Sequence, residues 1–141
     1  MGHRKSALIC AGLGLLLWTT EPASADTPQW EKVAPLQASG TYVHSAVLDT
    51  YRDVVVVFGG APKSESEAQR TWELDLETGR WRHVTPPPPY PPARAHAAAA
   101  YDTKTQGMLV CLGSYGSTYH EDCQWWDSAS RSWSTVSVPE G

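Results

Sequence analysis

The fold of this chain is decided by the stretch VVVVFGG at residues 54–60, followed by WELD at 72–75 and a further tryptophan, Trp81. Five apolar residues in a row are typical of a short strand that is buried on both faces. A polar stretch separates this run from the WELD segment, as expected for a loop between two strands. These residues therefore predict short β-strands joined by loops.

The same order of residues returns about fifty positions later. Trp30, Trp81 and Trp133 are each followed by x-x-Val, and they lie 51 and 52 positions apart. A spacing that is kept over several landmarks indicates a structural repeat. The two histidines are interpreted as equivalent positions in the two copies. The landmarks are His44, Asp49, Gly60, Asp75 and Trp81 in the first copy, and His96, Asp102, Gly113, Asp127 and Trp133 in the second.

Each copy predicts four short antiparallel strands. A proline-rich spacer at residues 86–93 favours polyproline II and separates the copies. Four strands with turns between them, repeated at about fifty residues, are the blade of a β-propeller. The first three strands are predicted at 41–48, 54–58 and 72–75 in one copy and at 94–101, 108–112 and 124–127 in the other, with a fourth starting near Trp81 or Trp133.

This order of landmarks resembles the kelch repeat, and the resemblance covers about residues 40–137. It implies an all-β fold of two four-stranded antiparallel blades, at 40–85 and 94–138, plus the fourth strand of another blade within 26–39. The second copy departs from the first, because Gly113-Ser114 is placed at the glycine pair and Gln124 at the position of Trp72.

The resemblance also implies structural roles for the landmarks. In kelch-like blades the glycine pair lets the chain turn where a side chain would clash, and the tryptophans pack between neighbouring blades. Burying an aromatic side chain is worth roughly 1.5–3 kcal/mol without any ligand. We therefore expect structural roles for Gly59, Gly60, Trp72, Trp81, Trp126 and Trp133.

The N-terminus predicts a secretory signal peptide at residues 1–25. A basic start is followed by an apolar run at 7–18 and by the small residues Ala23-Ser24-Ala25. The apolar run is shorter than the roughly twenty residues that a membrane-spanning helix needs. We expect cleavage after Ala25, a secreted or periplasmic protein, and no stable insertion in a membrane.

The net charge restricts the classes of partner, and the two remaining cysteines predict a disulfide. Cleavage removes Arg4, Lys5 and Glu21, so 9 basic and 14 acidic residues remain of 11 and 15. An acidic surface excludes nucleic acid and anionic membranes as partners. In an oxidising compartment Cys111 and Cys123 are expected to form a disulfide worth roughly 2–3 kcal/mol, and two thiols packed as small apolar groups are the alternative.

No constellation in the sequence predicts catalysis. There is no Gly-x-Ser-x-Gly elbow, no phosphate-binding glycine loop and no Cys-x-x-Cys metal motif. His120-Glu121-Asp122 is interpreted as a solvated acidic loop, since neighbouring side chains seldom reach one metal. A copper site with a tyrosine–cysteine cross-link, known in some kelch-like oxidases, lacks spare histidine ligands here. We expect no catalytic residue, metal or cofactor.

The sequence SYGSTYH at 114–120 is the candidate binding loop. It joins a second strand to a third, and such loops share one face of a propeller. Tyrosine, serine and glycine suit recognition, so Tyr115, Tyr119 and His120 are the predicted binding residues. A loop that serves only as a connection is the alternative interpretation, and both stay open. The predicted function is an exported, non-catalytic module that binds a protein or a carbohydrate.

The length of the chain leaves three explanations open. A propeller has about four to eight blades, and two alone would expose broad apolar faces. The chain is therefore a truncated product of a longer gene, a unit of a homo-oligomer that closes a ring, or a pair of blades that stands alone. The alternative function is a fragment of a larger exported propeller enzyme of the oxidase type, with its active site elsewhere.

Overall fold

Two four-stranded antiparallel sheets dominate residues 41–137, the part of the chain that the computed structural model describes. The all-β prediction and the two blades are confirmed. The predicted signal peptide and the strand within 26–39 lie outside the described residues. Blade 1 consists of β1 (Ser45–Asp49), β2 (Val54–Phe58), β3 (Thr71–Asp75) and β4 (Arg80–Val84). Blade 2 consists of β5 (Ala98–Asp102), β6 (Gly107–Cys111), β9 (Cys123–Asp127) and β10 (Ser132–Val136).

A third, two-stranded sheet lies between β6 and β9 in the chain. It pairs β7 (Ser114–Tyr115) with β8 (Thr118–Tyr119). In both blades the strands follow the chain across the sheet, in the orders β1-β2-β3-β4 and β5-β6-β9-β10. Within residues 41–137 no helix is long and apolar enough to span a bilayer.

The first strand of each blade begins four residues later than predicted. Val43 and His96 have φ angles of 53° and 57°, in the left-handed region that interrupts a strand. The backbone there joins the blades instead, because the His96 N–H donates to the Val43 carbonyl over 3.0 Å. Residues 41–44 and 94–97 therefore contact each other ahead of the two sheets, and only the residues after them enter the sheets.

The strand register corrects two predicted equivalences. β1 and β5 start 53 positions apart, so His96 matches Val43 and not His44. The glycine pair of blade 1 matches Leu112 and Gly113, not Gly113-Ser114, and Leu112 keeps the left-handed conformation at φ 62°. A side chain at Gly59 would place Cβ 2.3 Å from the Arg94 carbonyl oxygen, where blade 2 begins. Leu112 is accommodated at the corresponding position with an exposed side chain.

The core lies between the two blades. The Trp133 ring centroid is 4.6 Å from Phe58 of blade 1 and 5.2 Å from Trp126, and its Nε1–H donates to Thr71 Oγ1 over 3.0 Å. We call the apolar residues at this contact the interblade layer. Its members are Val54, Val56, Phe58 and Val84 of blade 1 and Met108, Val110, Trp126 and Trp133 of blade 2.

A charge network continues this layer toward the β1–β2 turn. Arg52 Nη1 lies 2.6 Å from Glu73 Oε1 and its Nη2 lies 2.8 Å from Asp49 Oδ2, and both carboxylates are at most 2 % exposed. Tyr101 of blade 2 donates its hydroxyl to Asp49 Oδ1 over 2.6 Å. Burial raises the pKa of Asp49, but hydrogen bonds from Tyr101 and Arg52 outweigh it and hold that pKa below its usual value. The ionised carboxylate of Asp49 therefore links blade 1 to blade 2.

Acid is expected to destabilise the protein through its aspartates. A carboxyl whose pKa is lower when folded contributes stability above its unfolded pKa and loses it as pH falls through the folded value. The free energy of unfolding should decrease slightly below about pH 6.5, because the lowered pKa of His83 favours the protonated unfolded state, and should fall more steeply below about pH 4, where the aspartates are protonated. The aspartates with lowered pKa values are Asp49, Asp75, Asp102, Asp122 and Asp127.

Urea unfolding at several pH values, followed by tryptophan fluorescence, measures this dependence. The variant Asp49→Asn should reduce the decrease in the free energy of unfolding at acidic pH. Asp53→Asn, at a neighbouring exposed position, should leave the pH dependence unchanged. A free energy of unfolding at pH 3 equal to that at pH 6 would show that these carboxylates do not stabilise the fold.

Candidate functional site

The predicted binding loop is a β-hairpin that stands out from blade 2. The pairs Ser114–Tyr119 and Tyr115–Thr118 face each other, with Gly116-Ser117 in the turn. Gly116 has φ 59°, and no atom lies within 4 Å of where its side chain would start, so the turn is open to solvent. Tyr119 is 81 % exposed and Tyr115 is half-buried. We call residues 114–120 the tyrosine hairpin.

The base of the tyrosine hairpin is fastened to the backbone around it. Ser114 exchanges two backbone hydrogen bonds with Ala95, of 2.8 and 2.9 Å, and the His120 N–H donates to the Gly113 carbonyl over 2.9 Å. His120 Nε2 lies 2.9 Å from the carbonyl oxygen of Ala93, which can only accept. His120 thus supports the hairpin. Of the three predicted binding residues, the two tyrosines remain available to contact a partner.

A buried arginine holds the segment that follows the hairpin. The Arg94 side chain is 0 % exposed, and its Nη2 donates to both oxygens of Asp122 over 3.0 and 3.2 Å. Its Nη1 donates to the Leu112 carbonyl over 3.1 Å. Burial raises the pKa of Asp122, but Gln124 and Arg94 outweigh it and lower that pKa. Asp122 is therefore paired with a buried arginine while its side chain stays 33 % exposed, and Glu121 is exposed, so the solvated acidic loop stays a prediction.

Cys111 and Cys123 face each other at the root of the same segment. Cys111 ends β6 and Cys123 begins β9, and they are direct partners in the strand register with Cα atoms 4.1 Å apart. Their sulfur atoms are 2.01 Å apart, at bonding distance. A covalent link at this point closes the loop 112–122, which contains the tyrosine hairpin.

The family follows from a comparison with known domains. A model of the KLHDC2/KLHL20/DRC7 Kelch-repeats domain matches residues 14–141. The chain belongs to the kelch-repeat family. Comparison with curated proteins finds no match. Kelch repeats are generally protein-interaction modules, which is the coarse function of this chain.

The tryptophans of the two kelch blades lie in different surroundings. Trp126 and Trp133 are buried in the interblade layer, at 0 % and 3 % exposure. Trp72 and Trp81 lie on the opposite face of blade 1 and are half-buried, and Trp72 packs against His83 at 5.1 Å. Burial and the nearby Arg70 charge lower the pKa of His83.

The remaining landmarks belong to turns and connections. Asp75 and Asp127 close equivalent turns, because each accepts a backbone N–H three residues on, from Thr78 over 2.8 Å and from Ser130 over 2.6 Å. Asp side chains commonly stabilise turns in this way. The side chains of His44 and His96 are exposed. The landmarks thus build the kelch blades, and the tyrosine hairpin is an addition to blade 2.

Chemistry-bearing side chains do not converge within the described part of the kelch chain. In residues 41–137 no group of three His, Cys, Asp or Glu side chains is placed to hold a metal ion. The hydrogen bonds found there join no histidine to a serine or cysteine; the His120 ring, for example, is hydrogen-bonded to the Ala93 carbonyl. The bonds around the base of the hairpin instead fix the conformation of an exposed surface. That fixed surface is the feature that bears on function.

Proposed function

We propose that this kelch chain is an exported, non-catalytic module that binds a partner protein through the tyrosine hairpin. The observation that carries the proposal is the pair of tyrosines on a projecting hairpin, with Tyr119 81 % exposed, above a base fixed by buried groups. Single exposed aromatic side chains are normal on protein surfaces, and Tyr42, Tyr51 and Tyr90 are exposed as well, so the proposal rests on the placement of Tyr115 and Tyr119 together on this fixed base.

The construction of the base favours tight binding. Tyrosine supplies a large contact area with few rotatable bonds, so little entropy is lost when it is ordered. The bonds of Arg94 to Asp122 and of His120 to Ala93 already order the backbone under the tip. A preformed loop avoids the ordering cost that a mobile one has to meet on binding. The tip therefore provides adaptable contacts on a fixed base.

Replacing the two tyrosines is expected to abolish partner capture. In Tyr115→Ser/Tyr119→Ser the turn and His120 are kept, so the hairpin should form without its aromatic surface. The matched control is Ser64→Gly/Ser66→Gly in the corresponding loop of blade 1, at exposed positions. Quantitative mass spectrometry of proteins retained by immobilised residues 26–141 is the measurement.

We expect at least one protein to be retained by the wild type and the control and depleted about tenfold or more by the tyrosine variant, as for loss of an aromatic hot spot. Equal retention by all three chains would contradict a role for the hairpin. A glycan array probed with the same three chains separates the carbohydrate alternative, since sugar binding that is lost with the tyrosines would change the class of partner.

The export part of the proposal is supported by the three-part pattern of residues 1–25 and by the position of Cys111 opposite Cys123. Disulfides persist in oxidising compartments and are rare in the cytosol. The intact mass of the protein from its native host is expected to match residues 26–141 with no free thiol before reduction. A mass that starts at Met1, together with free thiols, would contradict export.

A further inference from the structure

A second polar surface lies at the opposite end of the strands from the tyrosine hairpin. A groove of about 500 Å³ opens between β4 of blade 1 and the β9–β10 turn of blade 2. Four arginines and two carboxylates line it: Arg52, Arg80, Arg82, Arg131, Glu73 and Asp75. It shares no residue with the hairpin.

The carboxylates in the groove already have their partners. Glu73 is 2 % exposed and accepts from Arg52 Nη1 over 2.6 Å and from Arg82 Nη2. Asp75 accepts from the backbone N–H and the hydroxyl of Thr78 over 2.8 and 2.9 Å. Arg52 is in turn matched by Asp49, 2.8 Å away. Because the carboxylates are occupied, the remaining hydrogen-bonding capacity of the groove lies on its other arginines.

Three guanidinium groups keep donors that face solvent. Arg82 is 54 % exposed and contacts Glu73 on one edge only. Arg131 is 42 % exposed, with Nε 3.7 Å from Glu73, beyond hydrogen-bond length. Arg80 is exposed and forms no ion pair with any residue in 41–137. The groove therefore has more positive than negative groups, in a chain whose net charge is −4.

The turn that contains Arg131 gives blade 2 a side chain at a position where blade 1 has none. Arg131 has φ 52°, and the equivalent position in blade 1 is Gly79 with φ 66°. Left-handed backbone suits glycine and costs conformational energy for arginine. Other non-glycine residues of the described part, among them Asp53 and Gln106, share this conformation, so the backbone alone assigns Arg131 no role, but it does place a guanidinium group beside the groove. The turn of blade 2 thus holds an arginine over the groove where the repeat has no side chain.

We infer that this groove binds an acidic segment of a partner protein. Arg80 and Arg82 are two positions apart on one face of β4, so their side chains start roughly 7 Å apart. Glutamates at alternate positions of an extended peptide have the same spacing. The planar guanidinium fork accommodates a carboxylate with two parallel hydrogen bonds, which favours carboxylates over neutral side chains.

A defined peptide tests the groove on the mature chain, residues 26–141. The probe is fluorescein-labelled GEGEGEG, its uncharged counterpart is GQGQGQG, and fluorescence anisotropy measures the dissociation constant. The variant Arg80→Gln/Arg131→Gln removes two groove arginines that make no short bond to Glu73. The control Lys63→Gln/Lys104→Gln removes the same charge from two exposed sites outside the groove.

The wild type and the lysine control are expected to bind the glutamate peptide, and the arginine variant is expected to bind at least about tenfold more weakly with an unchanged Tm. Should the double variant unfold, Arg80→Lys keeps the charge but loses the fork and is expected to weaken binding several-fold. The chain Tyr115→Ser/Tyr119→Ser should bind the peptide like the wild type, so failure of the hairpin proposal is seen separately. Equal binding by the arginine variant, equal loss in the lysine control, or equal binding of the glutamine peptide would overturn the inference.

Discussion

Replacing Trp133 by alanine is expected to lower the free energy of unfolding by about 3–5 kcal/mol, the usual cost of removing a large buried aromatic side chain. Trp133 is 3 % exposed and contacts Phe58 and Trp126 in the interblade layer. The variant also leaves Thr71 Oγ1 without its donor from Trp133, 3.0 Å away in the wild type. Urea unfolding followed by far-UV circular dichroism measures the loss.

Trp81 provides the matched control, because it lies at the same position of the first repeat and is only half-buried. Trp81→Ala should cost less than half as much as Trp133→Ala, since the free-energy cost follows the apolar area removed from contact. Equal losses in the two variants would mean that the interblade layer does not hold the blades as described. A loss below about 1 kcal/mol for Trp133→Ala would lead to the same conclusion.

The second large effect is expected for Arg52→Met, which should cost about 3–5 kcal/mol at neutral pH. Arg52 bridges Asp49 and Glu73, whose side chains are 0 % and 2 % exposed. Methionine fills a similar volume but leaves both carboxylates buried without the shared cation. The penalty should shrink as the pH is lowered, because protonation removes the uncompensated charge.

Arg70→Met is the control for this variant. Arg70 is 39 % exposed and pairs with Glu67 over 3.5 Å, and exposed pairs of this kind contribute at most about 1 kcal/mol. Urea unfolding of both variants at neutral and acidic pH separates the two cases. If Arg52→Met costs no more than Arg70→Met, the buried network does not stabilise the junction between the blades.

The sequence predicted the strands where local signals are strong. β2 has the predicted bounds, Val54–Phe58, because an apolar run ends at a turn on one side and at glycines on the other. The first strands were predicted too long, since nothing in the side chains of Val43 or His96 indicates left-handed backbone. The hairpin was also missed, because strands of two residues are too short to carry a periodic pattern.

The site was predictable only in part, for a related reason. Tyr115 and Tyr119 were found by composition, which is a local property. The partner of Asp122 is Arg94, 28 positions earlier, and no spacing rule links them. An arginine flanked by alanines at 93–100 is the one signal that could have drawn attention to it. The two histidines were matched wrongly because the offset between copies is 53 in the first two strands and 52 in the last two.

The central claim is that the interblade layer makes the two kelch blades one unit that carries the tyrosine hairpin. Amide hydrogen exchange of residues 26–141, followed by NMR, tests it most directly. Amides of β2 in blade 1 and of β9 in blade 2 should share one opening free energy, equal to that of global unfolding, and Trp133→Ala should lower both equally. Separate opening free energies for the two blades, or a loss in only one of them in the variant, would contradict the account.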